Sequence, residues 1–145
     1  MKKIIIFLIL MSTGFINAQK HIVVAFAVGK TSCQYSTDTD LGYQIYTGNS
    51  SSSANKSARD RVKRDYPNLI RVSVEQNGWK AEKGNHLVII EVKTKYQGCD
   101  KYTYGAGFGF NKTEALRNAK KSLGMRNWNW VESKHGYKQV LYRSY

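Results

Sequence analysis

The feature that most constrains how this chain can fold is an internal repeat. His21-Ile22-Val23-Val24 recurs as His86-Leu87-Val88-Ile89, and Cys33-Gln34-Tyr35 as Cys99-Asp100-Lys101-Tyr102. The ladder Ala54/Ala58/Val62 recurs as Ala115/Ala119/Leu123, and Gly78-Trp79-Lys80 as Gly136-Tyr137-Lys138. The four pairs stand 65, 66, 61 and 58 residues apart and keep the same order. Self-similarity of this kind sets the architecture before any single residue does. It predicts two like units, about 21–80 and 86–145, inside one domain.

Each unit reads as strand, strand, helix, strand. His21 to Val28 is an apolar, β-branched run, and Leu41 to Thr47 is a second strand rich in tyrosine. Ser51 to Asp65 sets Ala54, Ala58 and Val62 four residues apart, on one face of a helix. Ser50 to Ser53 supply a loop and an N-cap, and Pro67 stops the helix by forcing the preceding residue out of the α region. Leu69 to Val74 alternates as a half-buried strand does, and Asn77-Gly78 makes a turn. The second unit repeats this with strands at 87–95, 101–110 and 138–143. Its helix is expected over 113–123, capped by Asn111 or Thr113 and stopped by Gly124. The expected product is an α+β fold: an antiparallel sheet with two helices packed on one face, built from two tandem pseudo-symmetric ββαβ-like halves.

The first 18 residues read as a signal peptide. Lys2-Lys3 precede the apolar run Ile4 to Met11, and a small-residue stretch ends at Ala18. Cleavage there would leave residues 19–145 as a single exported domain and would lower the formal charge from +13 to +11 by removing two lysines. Two cysteines in an exported chain suggest one disulfide. Cys33 and Cys99 occupy equivalent places in the two units, so a pseudo-twofold relation between the units would bring them face to face. The expected location is secreted or periplasmic, with no membrane span after cleavage.

The strongest functional hint is charge. On a 3.6-residue wheel Lys56, Arg59 and Lys63 lie opposite the first alanine ladder, and Arg117, Lys120 and Lys121 lie opposite the second. Two adjacent helices would merge these residues into one cationic surface that attracts a polyanion through its long-range field and counterion release. Trp128 and Trp130 could stack on sugars or bases, although large aromatics in a small domain more often fill the core. Gly105, Gly107 and Gly109 alternate along a strand. They fit close approach by a helix better than a phosphate loop, because neither a Gly-Lys-Ser/Thr nor a G-x-G-x-x-G follows.

From Gly84 to Leu123 the sequence resembles the double-stranded-RNA-binding domain. The resemblance rests on Gly84-Asn85-His86, the strand from Leu87 to Lys93, Gly107-Phe108-Gly109, and Asn111-Lys112-Thr113-Glu114-Ala115 opening a helix. It implies phosphate contacts at that helix start, where Thr113 stands in place of the second lysine of the family's pair.

Catalytic, metal and cofactor sites are not expected. His21, His86 and His135 lack partners at zinc-ligand spacing, and no pair of carboxylates can be assigned as acid and base. The leading expectation is a non-catalytic module binding an anionic partner, nucleic acid or acidic polysaccharide. The alternative is a protein-binding inhibitor or protective factor acting on another exported protein, and the third is a hydrolase whose residues meet only in space.

Overall fold

The computed structural model describes residues 20–33, 36–78 and 84–145. The signal segment, the Gln34-Tyr35 pair and Trp79-Lys80 of the repeat lie outside the described residues. The elements run β1 (His21–Lys30), β2 (Asp38–Gly48), α1 (Ser51–Asp65), β3 (Arg71–Gln76), β4 (His86–Tyr96), β5 (Cys99–Gly109), α2 (Lys112–Arg126), α3 (Glu132–His135) and β6 (Lys138–Ser144). The class is α+β and the pairing is antiparallel throughout, as expected.

The strands form two three-stranded sheets rather than one. Their orders are β2-β1-β3 and β5-β4-β6. Connectivity is the same in both: the first strand of each unit is central, and the strand after the helix lies on its far side. The reason for two sheets lies in β1 and β4. Every residue from Ile22 to Val28 is buried, as is every residue from Leu87 to Ile90. A strand apolar on both faces needs a cover on each. Val23, Ala25 and Ala27 pack under the Ala54/Ala58/Val62 stripe of α1. Their neighbours Ile22, Val24 and Phe26 meet Leu87, Ile89, Ala106 and Phe108 of the second sheet. On the far side of that sheet, Val88, Ile90 and Val92 take up Ala115, Ala119 and Leu123 of α2. The layers therefore run helix, sheet, sheet, helix.

Both helix starts are capped by side chains. Ser50 accepts from the Ser53 N–H, and Asn111 accepts from the Glu114 N–H at 2.9 Å. The Glu114 carboxylate in turn accepts from the Phe110 N–H, which completes a reciprocal cap. α1 ends at Asp65, just before Tyr66-Pro67. α2 does not stop at Gly124 but continues to Arg126, and the Asn127 N–H closes the last turn on the Leu123 carbonyl. The cost of a helical glycine, about 1 kcal/mol, is offset by what the extra residues reach, described below.

The glycines of β5 let α2 lie against the strand. A Cβ placed on Gly107 would run into the backbone of Ala115 and Ala119, and one on Gly105 into Ala119 and Leu123. Gly107→Ala is therefore expected to force α2 off the sheet and to destabilise by about 1–3 kcal/mol. Urea unfolding of the variant checks this; a midpoint equal to that of the parent protein would contradict the close approach.

Candidate anion-binding surfaces and the Asp40–Arg126 pair

The structure separates the two basic helix faces. α1 covers the outer face of the first sheet and α2 the outer face of the second, with the sheet–sheet core between them. The single cationic surface expected from adjacent helices is not formed, because each helix is needed to cover a different sheet.

The two faces also differ in their electrostatics. On α2, Arg117 sits 3.8 Å from Glu114, and Lys120 is held by Glu132 and lies over the Tyr137 ring. The hydrogen bond that Lys120 donates to Glu132 raises its pKa. Lys121 has no ion-pair partner among the described residues. On α1, Lys56, Arg59 and Lys63 are all exposed and none pairs with a carboxylate among the described residues. The Arg59 Nε donates to Asn55 Oδ1 at 2.7 Å, which orients the guanidinium along the helix. With Ser51, Asn55 and Gln76, these three cations line an open groove of about 580 Å³. Asp60 is the one carboxylate in its lining.

The two tryptophans split. Trp130 is half-buried against the α2 core, and its Nε1–H donates to the Gly136 carbonyl at 2.8 Å. Trp128 is 78% exposed and stands edge-on to Tyr96. Residues 128–129 form a turn, which leaves one ring exposed and the other half-buried.

One pair escaped the sequence reading altogether. Asp40 and Arg126 are 86 residues apart and meet in the interior, with side-chain exposures of 4% and 13%. The Arg126 Nη2 donates to both carboxylate oxygens, at 2.7 and 2.8 Å, and the guanidinium lies 3.9 Å over the Phe26 ring. Asp40 Oδ2 also accepts from the Tyr104 N–H at 2.7 Å. Next to it, Thr39 Oγ1 accepts from the Tyr102 N–H and donates to the Tyr102 carbonyl. Side chains at the opening of β2 thus satisfy backbone groups on the outer edge of β5 and join the two sheets. Burial dominates the titration of this pair. It raises the Asp40 pKa and lowers that of Arg126, against the attraction between them.

The bridge between Cys33 and Cys99 joins the sheets at the same end, with Cα atoms 5.9 Å apart. A disulfide is consistent with an oxidising compartment. Among the described residues no helix is long and apolar enough to cross a membrane, and no three of the His, Cys, Asp and Glu side chains group as metal ligands would. The region resembling the double-stranded-RNA-binding domain, 84–123, covers β4, β5 and most of α2, and its two strands pair in one sheet. Of the strands between α1 and α2, β3 belongs to one sheet and β4 and β5 to the other. Compared with protein-family models, curated protein sequences and solved structures, the chain matches none.

Proposed function

We propose that this protein is a secreted or periplasmic, non-catalytic module that binds an anionic polymer, a nucleic acid or an acidic polysaccharide, through the α1 face. The observation that carries the reading is the set of three exposed, unpaired cations, Lys56, Arg59 and Lys63, along one open groove. Unpaired surface cations keep their full field and their condensed-counterion exchange, whereas the paired cations of α2 have already spent part of theirs. The formal charge, +13 for the whole chain and +11 without Lys2 and Lys3 of the signal segment, adds a long-range attraction of the same sign.

The test is binding of the oxidised protein to labelled duplex DNA, RNA and heparin across a salt series. Replacing Lys56, Arg59 and Lys63 with glutamine is expected to weaken binding and to flatten the salt slope on duplex DNA by about 0.9 per lost phosphate contact. The same change at Arg117, Lys120 and Lys121 should have a smaller effect. Equal losses from the two faces would reject α1 as the site.

A second reading rests on Trp128. Its exposed ring beside Tyr96, with exposed Met125 three residues before it, is the kind of aromatic anchor that protein interfaces use. It supports a protein-binding inhibitor or protective factor. Affinity that tolerates salt and collapses in Trp128→Ala would favour it.

A further inference from the structure

A second feature shares no residue with the α1 groove. Where the end of β1 and the starts of β2, β3 and β5 meet the end of α2, the surface closes into a pocket of about 290 Å³. Its lining includes three cationic residues, Arg71, Lys101 and Arg126, together with Ser73 and with Thr103, whose Oγ1 accepts from Asn127 Nδ2 at 3.1 Å. Two carboxylates also line it, Asp38 and Asp40, but neither is available to a ligand. Asp38 is held by Lys30 at 2.7 Å and by Arg71 at 3.1 Å. Asp40 is held by Arg126 and by the Tyr104 N–H.

The cations are not equally spent. Arg71 uses only Nη2 on Asp38, and Lys101 has no ion-pair partner among the described residues. Arg126 commits Nη2 to Asp40, while its Nε and Nη1 are buried without a hydrogen-bond partner. Buried guanidinium donors left unmatched are costly, and such groups call for an acceptor. We propose that this pocket binds a small oxyanion, a phosphate or a carboxylate group, between Arg71 and Lys101 and beside Arg126. The anion's contacts are with the more accessible Arg71 and Lys101, and the Arg126 guanidinium, buried beside the pocket, adds its charge. The volume admits one charged group with a few attached atoms, not a polymer chain. The site shares no lining residue with the α1 groove and does not rest on the polymer-binding reading, although Arg71 and Ser73 also line a cleft with Asn55 and Arg59 of α1.

The experiment is thermal unfolding of the oxidised protein with added orthophosphate or acetate, with sodium chloride adjusted to hold ionic strength constant. A ligand that binds only the folded state raises the melting temperature in a saturable way. Saturation by either anion is expected, and the stronger of the two arms distinguishes a phosphate from a carboxylate. Lys101→Ala and Arg71→Gln, both at the surface, should each raise the half-saturating concentration about tenfold, the loss of one charge-assisted contact. The Lys56/Arg59/Lys63 variant should leave it unchanged. The proposal is overturned if neither anion exceeds the chloride control, or if the shift survives in the Lys101→Ala/Arg71→Gln double variant. Arg126 is left intact because the fold depends on it.

Discussion

Replacing Asp40 with alanine is expected to cost about 3–5 kcal/mol of folding stability, among the largest losses available to a single substitution here. The reason is what remains afterwards. The Arg126 guanidinium would stay buried over Phe26 without the carboxylate that its Nη2 holds, with Glu75 attracting it only from nearby, and the Tyr104 N–H would lose its acceptor. Removing one partner of a buried pair leaves the desolvation penalty of the other uncompensated, which exceeds the net worth of the pair itself. Replacing both, as Asp40→Leu with Arg126→Met, should therefore recover most of the loss. It should not recover all of it, because the Tyr104 N–H remains orphaned. Urea unfolding of the three variants measures both effects. A single Asp40→Ala loss under 1 kcal/mol would mean that the pair is solvated in solution.

The same pair gives a pH dependence with a definite sign. Burial places the folded-state pKa of Asp40 above its ordinary value of 3.8, so the folded protein holds this proton more tightly than the unfolded chain does. Its titration adds stability as pH falls through the folded value, and the gain levels off below 3.8. The stability difference between the parent protein and Asp40→Asn should therefore move in the parent's favour on acidification across that window. Movement in the opposite direction would show that the attraction of Arg126 outweighs desolvation.

Why this pair was invisible in the sequence is instructive when set beside what was visible. α1 was legible to the residue, because Ser50, the Ala54/Ala58/Val62 spacing and Pro67 are local signals that tertiary structure did not override. Gly105, Gly107 and Gly109 were legible as a packing surface for the same reason: alternation on one strand face is a local pattern. Asp40 and Arg126 carry no such pattern. Their meeting depends on β2 lying across the edge of β5, and on α2 running two residues beyond the glycine at which a stop was expected. The division into two sheets was legible only in part. Burial of both faces of β1 was implied by an unbroken apolar run, but a single sheet with two helices on one face leaves the other face bare. Once the second sheet takes that face, the helices must separate, and the joint basic surface goes with them. Trp128 shows the converse error, since composition places a tryptophan in the core whereas the turn at 128–129 turns it outward.

The disulfide carries the other large effect. Changing Cys33 and Cys99 to serine is expected to cost about 4 kcal/mol in the chain-entropy model, because the bridge spans 66 residues and restricts the unfolded chain accordingly. For a domain of this size that corresponds to roughly 10–20 °C in melting temperature. The urea m-value should rise together with the loss, since an uncrosslinked chain exposes more surface when it unfolds. Reduction of the parent protein should reproduce both changes, and equal stability in oxidising and reducing buffer would remove the bridge from the account of the fold. Placement adds a further consequence. The bridge and the Thr39–Asp40 contacts both fasten the opening of β2 to the start of β5. Losses at contacts that share one junction are not additive. With the bridge gone, this end of β2 can detach locally before the rest of the domain unfolds. Asp40→Ala should then cost measurably less in the serine background than in the parent. Full additivity would show that the two fastenings act on separate parts of the structure, and that the sheets are joined by more than this one corner.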